Sequence, residues 1–241
     1  SWFKPKLHHD KFGFLGTYFC CSEDDGKTWS KPNILSKVHA CKANGICLEK
    51  GDLLLPVYHA EVSKVGVFKS TDDGDNWELY ESDPIDIDIA EPSLIELTTN
   101  YIVMIARTKT GTLWISESMD DGNKWTTPKP TSIDSYNTPV SLLKIDNSLL
   151  VCYNCGKLRE KLSLCSTGSI SFKWDSTVVI DQINNGSFHS TNSIHSSGSD
   201  CAVTYPSMIN YGVDKIMVAW SSYKINESEH QGEICYCIVK I

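Results

Sequence analysis

The two arginines of the chain are the residues whose type points most directly to a chemistry. Among 22 basic residues, only Arg107 and Arg159 are arginine. A guanidinium is a planar fork that holds a carboxylate through two parallel hydrogen bonds, and lysine does not reproduce that geometry. In a chain that uses lysine for its other positive charges, two arginines indicate a carboxylate-binding site. Composition alone leaves a second explanation equally open, that two arginines have remained by chance in a lysine-biased chain.

Cysteine and histidine predict no metal site and no cofactor. Cys152 and Cys155 form a lone C-x-x-C motif, and no second pair stands at a spacing that would complete a zinc site. Most of the ten cysteines lie in or beside strand-like runs, where a free thiol behaves as a small hydrophobe. His189 and His195 lie in a long Ser/Asn-rich loop, residues 182–202, with no acidic partner fixed beside them in sequence. They are candidates for a general base only if the protein catalyses a reaction in which a histidine must accept a proton.

Charge and hydropathy exclude several classes of partner. A net charge of -8 and a pI of about 5.3 leave no basic patch that could neutralise phosphates, so no nucleic-acid partner is predicted. No apolar run approaches the roughly 18 residues that a membrane-spanning helix needs. The acidic stretch 83–91 does not match the spacing of an EF-hand loop and is typical of a strand or connection. Glycosylation sequons at Asn185 and Asn226 fit an extracellular location, but such triplets arise by chance and the compartment stays open.

The elements that must position these residues follow from a repeat. The pattern S-x-D-x-G-x-x-W occurs three times, beginning at Ser22, Ser70 and Ser118, and successive copies start 48 residues apart. Four fixed positions that recur twice at one interval indicate a repeat protein, and repeats of this length build solenoids, propellers or arrays.

The chemistry of the octet identifies the repeated unit. Asp and Gly supply a tight turn, and the tryptophan that follows is predicted to bury its ring while its N–H finds an acceptor. Short strand-like runs precede the octets. Before the second octet they are Gly45 to Glu49, Leu53 to His59 and Val65 to Ser70, and before the third they are Ser93 to Leu97, Ile102 to Arg107 and Thr112 to Ser118. Each unit is therefore predicted to be four antiparallel strands, which is one blade of an all-β propeller.

The ends of the chain predict an incomplete set of blades. The first octet comes too early to follow three strands, and the last strands (203–208, 215–220 and 233–240) have no fourth. A further copy of the motif, at residues 166–174, keeps its tryptophan one residue late and has lost its aspartate. Residues 1–241 are thus interpreted as one propeller domain of about five blades. Either the C-terminal strands complete the first blade, or a preceding portion of the natural protein supplies another blade; the second interpretation is favoured.

The octet resembles the Asp box, or BNR repeat, of the sialidase (neuraminidase) superfamily. A second set of residues resembles, in order, the second half of a six-bladed sialidase propeller: Glu91-Pro-Ser, then Arg107, then Asn154 with Arg159, then Tyr205-Pro-Ser. The resemblance implies that Arg107 and Arg159 clamp a substrate carboxylate, that Tyr205 is the nucleophile and that Glu91 assists it. It also implies a retaining glycoside hydrolase that releases terminal sialic acid, or a related acidic sugar, from glycans.

The physical logic of that resemblance holds for these residue types. A carboxylate on the anomeric carbon repels an anionic nucleophile, whereas a neutral tyrosine can approach and lose its proton as it attacks. The chain departs from the family in having no third arginine, and Asp10 is the only early candidate for the acid/base aspartate. Two alternatives therefore stay open. One is a non-catalytic propeller that binds glycans or a protein, and the other is a different glycosidase or polysaccharide lyase using His189 or His195.

Overall fold

The computed structural model describes residues 16–168, 174–183, 201–225 and 230–241. The secondary structure of these residues consists of strands joined by turns and connections. None of the described segments forms a helix that could span a lipid bilayer. The strands form five antiparallel sheets that follow one another along the chain. The predicted all-β propeller is therefore confirmed.

The strands are assigned to the sheets as follows. The first sheet holds β1 (Thr17–Phe19) and β2 (Asn33–Ser36). The second holds β3 (His39–Ala40), β4 (Ile46–Cys47), β5 (Leu53–His59), β6 (Val65–Ser70) and β7 (Glu78–Glu81). The third holds β8 (Ile89–Thr98), β9 (Tyr101–Thr108), β10 (Thr112–Ser118) and β11 (Lys129–Asp134). The fourth holds β12 (Ser141–Ile145), β13 (Ser148–Asn154), β14 (Lys161–Gly168) and β15 (Trp174–Gln182), and the fifth holds β16 (Cys201–Asn210), β17 (Lys215–Ile225) and β18 (His230–Lys240).

Within each blade the strands pair in chain order, and the first strand of one blade packs against the first strand of the next. Strand β8 contacts both β4 and β12, and β12 in turn contacts β16. The first strands therefore line the inner edge of the propeller. The third and fourth sheets have the predicted four strands, and among the described residues the fifth has three. In the second sheet the inner strand is divided into β3 and β4, which both pair with β5.

The hydrophobic core lies between neighbouring blades. One cluster joins the second and third sheets, a second joins the third and fourth, and a third joins the fourth and fifth. Residues 102–106 of β9 are at most 1% exposed, because sheets cover both faces of this central strand. This explains why the strand is a continuous apolar run, Ile-Val-Met-Ile-Ala, rather than an alternating one. Burial on both faces fixes the spacing of the blades. It therefore also fixes the width of the opening at the centre of the propeller, which is called the mouth below.

The Asp-box turns are held by their own side chains. In the second copy Gly74 N donates to Ser70 Oγ at 2.8 Å, Asn76 N donates to Asp72 Oδ1 at 2.9 Å, and Trp77 Nε1 donates to the Gly74 carbonyl at 2.9 Å. Gly74 has a φ of 94°, the left-handed conformation expected of the turn. The predicted indole acceptor is therefore the glycine of the same octet.

The burial predicted for the three octet tryptophans is wrong for the first. Trp125 is 8% exposed, whereas Trp29 is 64% exposed. The rings of Trp77 and Trp125 pack on the sheet that precedes their own in the chain. Trp125 belongs to the cluster with Leu48 and Leu54, and Trp77 lies 6.3 Å from the ring of Phe19. Trp29 has the same turn, but no described sheet precedes its own.

This difference predicts unequal stability effects of one substitution at two copies of the motif. Trp125→Ala is expected to lower the free energy of unfolding by about 3 kcal/mol, because it leaves a cavity between two blades. Trp29→Ala removes the same indole and the same turn hydrogen bond from an exposed site, and is expected to change stability by less than about 0.5 kcal/mol. Urea unfolding midpoints measure both. Equal effects would mean that the turn, rather than packing between blades, gives the tryptophan its stabilising role.

Candidate active site

Glu91 and Tyr205 occupy equivalent irregular positions on the inner strands of two blades. Strand β8 bulges between Ala90 and Ser93, and β16 bulges between Thr204 and Ser207. Glu91 has a φ of 50° and Tyr205 a φ of 56°. Positive φ is rare for a residue with a side chain, and a following proline restricts its backbone further. Strain of this kind costs about 1–3 kcal/mol and concentrates at functional sites.

The bulges explain why these two side chains reach the mouth. A regular strand would direct successive side chains to alternate faces of the blade, where they would pack between sheets. A bulge re-aims one side chain and increases the local twist. The two sites share the sequence x-Pro-Ser, at Glu91 and at Tyr205. The occurrence of the same tripeptide pattern on two inner strands is a sequence signal that could have indicated both bulges.

Arg107 pairs with Glu91 across the same blade. It lies next to the end of β9, opposite Ala90 in the strand register. Its Nε is 2.8 Å from Glu91 Oε2, and the Glu91 side chain is 9% exposed. The two atoms form an ion pair whose N–H is not directed at the oxygen as in a hydrogen bond. Glu91 is therefore a buried, charge-paired carboxylate and not a carboxylate on a strand edge in solvent.

Asn137 joins the two arginines. It lies in the buried connection between the third and fourth blades, with a φ of 51°. Its side-chain Oδ1 accepts a hydrogen bond from Arg107 Nη1, and its backbone carbonyl accepts one from Arg159 Nη2 at 2.9 Å. The Asn137 N–H donates to the Thr108 carbonyl at 2.6 Å, which fixes it to the end of β9. One residue thus sets the separation of both guanidiniums.

Tyr205 lies among positive charges. Its ring centroid is 5.2 Å from Arg159 Cζ and 4.2 Å from Lys42 Nζ. Burial raises the pKa of Tyr205, and the negative charge of Glu91 raises it further, while Arg159 and Arg107 oppose the shift. A raised pKa keeps this residue a neutral phenol at neutral pH. Its loss of a proton therefore requires an acceptor and nearby positive charge.

Tyr58 of β5 belongs to the same cluster. Burial raises the pKa of Tyr58 to about 12, and the charge of Glu91 adds to the shift. Among the described residues, those that act on or contact Tyr205 with a charged side chain are Glu91 on one hand and Lys42, Arg107 and Arg159 on the other. Positive charge exceeds negative charge in this described cluster, although the whole chain carries a net charge of -8. The mouth is consequently suited to an anion.

The structure brings all four residues singled out from the sequence, Glu91, Arg107, Arg159 and Tyr205, to this one mouth. They come from three blades, with Glu91 and Arg107 on the third, Arg159 between β13 and β14 of the fourth, and Tyr205 on the fifth. The other candidates, Asp10, His189 and His195, lie outside the described residues. In the described part of the chain no group of three or more His, Cys, Asp or Glu side chains could hold a metal ion.

Sequence reasoning missed Asn137, Lys42 and Tyr58. Asn137 has a weak signal, since asparagine tolerates positive φ better than most residues and it sits between two blades. Lys42 and Tyr58 carry no signal of their own, because lysine and tyrosine are common and their role depends on which blades face each other. Only the arrangement of the blades around the mouth brings them to Tyr205.

Because Asn137 contacts one arginine through its side chain and the other through its backbone carbonyl, a substitution can measure the contribution of the side chain to stability by itself. Asn137→Gly keeps the positive φ and the backbone carbonyl but leaves Arg107 without its acceptor. The expected loss is about 1–2 kcal/mol, the range for a hydrogen bond to a charged group. Asp146→Gly, at an exposed turn with a φ of 50°, is the matched control and is expected to be neutral or slightly stabilising. Thermal and urea midpoints compare the two. Equal behaviour would mean that the Asn137 amide contributes nothing to the site.

Comparison with known proteins assigns the chain to a family. The profile of the BNR repeat-like domain family matches residues 7–216, which is most of the sequence. The chain belongs to the BNR repeat-like domain family. This agrees with the three Asp-box turns and the blades that they close.

Individual relatives of this BNR repeat-like chain include sialidases. It is 28% identical over 138 residues to the anhydrosialidase of Macrobdella decora, an alignment that covers 51% of this chain and 18% of the relative. Its fold matches a leech intramolecular trans-sialidase with a TM-score of 0.71 at 17% identity, over 92% of this chain and 36% of the other. It also matches the NanB sialidase of Streptococcus pneumoniae with a TM-score of 0.68 at 18% identity, over 93% of this chain and 35% of the other. At such identities the structural likeness shows the fold, and the chain spans about a third of each solved sialidase.

Proposed function

We propose that this propeller carries the active site of a sialidase-type glycoside hydrolase, which releases terminal sialic acid or a related acidic sugar from glycans with retention of configuration. The observation that carries the proposal is the position of Tyr205. Its phenol ring lies beside both Arg159 and Lys42, in one mouth with the Glu91–Arg107 ion pair. Kinship with the anhydrosialidase of Macrobdella decora supports it.

Substrate binding rests on the two guanidiniums. Arg107 and Arg159 would hold the substrate carboxylate, and their common tie to Asn137 sets their separation before substrate arrives. A preorganised pair of cations loses little side-chain entropy on binding. Arg159 is 5% exposed, so its charge acts on the carboxylate with little screening by water.

The chemistry begins with a proton transfer. As the Tyr205 oxygen attacks the anomeric carbon, the phenol proton passes to Glu91 and the glycosidic bond breaks, with an acid donating a proton to the leaving oxygen. A water molecule then attacks the anomeric carbon and gives a proton to the conjugate base of that acid, the bond to the Tyr205 oxygen breaks, and Tyr205 recovers its proton from Glu91. Glu91 is suited to its part, since its carboxylate lies in the same mouth as Tyr205 and is held 2.8 Å from Arg107 Nε.

Two of the catalytic and substrate-binding residues that the resemblance to the sialidase superfamily implies are not among the described residues of the site. These are the first arginine and the acid/base aspartate, for which Asp10 is the candidate in this sequence. We propose that a portion of the propeller N-terminal to the described blades supplies them. The chain itself holds only two arginines, which also favours the alternative function, a non-catalytic propeller that binds acidic glycans.

Hydrolysis of a fluorogenic sialoside tests the proposal. The assay compares the 241-residue chain with a version carrying the natural N-terminal sequence, and a fluorogenic galactoside serves as the neutral-sugar control. Activity on the sialoside alone, in either version, would support the proposed function. Binding of free sialic acid without turnover in either version would favour the non-catalytic alternative. Neither binding nor turnover by a folded protein would exclude both.

A further inference from the structure

Lys42 reaches Tyr205 from a different blade. It lies in residues 41–45, between β3 and β4 of the second sheet, whereas Tyr205 lies on β16 of the fifth. Its Nζ is 4.2 Å from the centroid of the Tyr205 ring. This distance is within the range of a cation–π contact, in which an ammonium is attracted to the face of an aromatic ring. The contact spans the mouth of the propeller.

The backbone around Lys42 is built to make that contact. Ala40 pairs with Tyr58 and Ile46 pairs with Leu54, so residues 41–45 stand opposite residues 55–57 of β5. The inner edge of the second blade therefore bulges there, as the inner strands of two other blades bulge at Glu91 and Tyr205. Cys41 Sγ donates to the Ala43 carbonyl at 3.4 Å and braces the bulge. Three blades thus interrupt their inner edge where a side chain enters the mouth.

Three charged side chains shift the pKa of Tyr205 in opposite directions. Glu91 raises its pKa, and Arg159 and Arg107 lower it. Two neighbouring groups are neutral at neutral pH, since burial raises the pKa of Tyr58 to about 12 and that of Cys41 to about 11. The pKa of Lys42 is itself lowered by burial and raised by Glu91. Lys42 belongs to the same set of coupled charges.

We propose that Lys42 positions the Tyr205 ring and stabilises the negative charge that the phenol oxygen acquires during the reaction. Under the proposed function, on which this inference rests, the Tyr205 proton goes to Glu91. Lys42 keeps its own proton and forms no bond to the sugar. Its ammonium stabilises the ionised ring more than the neutral one, because the attraction to a full negative charge exceeds that to a ring quadrupole. It acts against burial and against Glu91, which both favour the neutral phenol.

Titration of Tyr205 tests this inference without an activity assay. NMR of protein labelled with ¹³C at tyrosine Cζ follows each tyrosine through alkaline pH, and Tyr205→Phe assigns the resonance. Lys42→Met removes the ammonium with little change in size, Lys42→Arg retains the charge, and Lys129→Met, an exposed lysine on β11, is the matched control. Because burial lowers the pKa of Lys42, the informative comparison is with Lys42→Arg, whose guanidinium keeps its charge throughout the alkaline titration. The Tyr205 pKa is expected to be about one unit higher, a tenfold weaker ionisation, in Lys42→Met than in Lys42→Arg, and Lys129→Met is expected to match the parent protein. An equal Tyr205 pKa in folded Lys42→Met and Lys42→Arg proteins would overturn the inference.

Kinetics supply the second measurement. With the fluorogenic sialoside, kcat of Lys42→Met is expected to fall about tenfold while KM changes less than about threefold, because Lys42 acts on the nucleophile rather than on the carboxylate. Lys42→Arg is expected to recover most of kcat. A fall in kcat with no recovery by arginine would overturn the electrostatic role. A titration shift in a protein that hydrolyses no sialoside would overturn the proposed function and leave the charge coupling in place, so the two failures are distinguishable.

Discussion

Replacing Tyr205 by phenylalanine is expected to lower kcat for sialoside hydrolysis by at least about a thousandfold, which corresponds to about 4 kcal/mol of transition-state stabilisation. The substitution removes one oxygen atom. It keeps the ring on which Lys42 and Arg159 lie, and it leaves Glu91, Arg107 and Asn137 in place. Affinity for free sialic acid is expected to change less than about threefold, since the carboxylate contacts are untouched. Steady-state kinetics and calorimetric binding measure the two effects.

The same substitution at an exposed tyrosine is the control. Tyr236 on β18 is 68% exposed, far from the inner strands, and Tyr236→Phe is expected to keep full activity. Loss of turnover in Tyr205→Phe with retained binding would separate a nucleophile from a residue that shapes the pocket. Retained turnover would rule out Tyr205 as nucleophile. Retained turnover in that variant would also bring His189 and His195 back as candidates for the base.

The sequence predicted the blades well where the pattern of the strands is regular. Strands β5, β6 and β10 have the residues expected from the sequence, because each is a run of strand-forming residues that ends at a turn or an Asp box. The Asp boxes also determine the strand order, since each fixes a hairpin between the third and fourth strands of its blade. Fold and blade boundaries therefore depend on local chemistry, which a sequence contains.

The inner strands were harder to predict, for a physical reason. The expected strand from Ser93 to Leu97 begins in the structure at Ile89, because a bulge at Glu91 and Pro92 interrupts the alternation without ending the strand. In the second blade the expected strand from Gly45 to Glu49 is reduced to Ile46–Cys47, and the rest of the inner edge is β3 and the bulge at Lys42. Strand prediction from residue type and alternation fails where a bulge directs a side chain into the mouth of the propeller. The misassigned segments are consequently those that carry the site.

The four residues found from the sequence and the three that were missed differ in the kind of information that identifies them. Arg107 and Arg159 stand out by rarity, and Glu91 and Tyr205 by resemblance to a family. Lys42 and Asn137 make contacts between segments that are distant in sequence, at 4.2 Å from the Tyr205 ring centroid and 2.9 Å from Arg159 Nη2. Such contacts follow from how the blades face one another and from no local pattern.

Arg159→Lys is expected to lower kcat/KM for the sialoside about a hundredfold, or about 2.7 kcal/mol, although it preserves the positive charge. Lysine cannot hold the substrate carboxylate with a fork and the Asn137 carbonyl at the same time, so both the clamp and its preorganisation are lost. Arg107→Lys is the companion variant, and it is expected to lose activity as well, because Arg107 pairs with Glu91 and donates a hydrogen bond to Asn137 Oδ1.

The decisive measurement compares the fluorogenic sialoside with its methyl ester, which lacks the carboxylate charge. The parent protein is expected to prefer the free acid strongly and the Arg159→Lys protein much less, because the lost interaction is one that only the carboxylate makes. An undiminished preference in both variants would mean that these guanidiniums stabilise the mouth of the propeller and do not bind substrate.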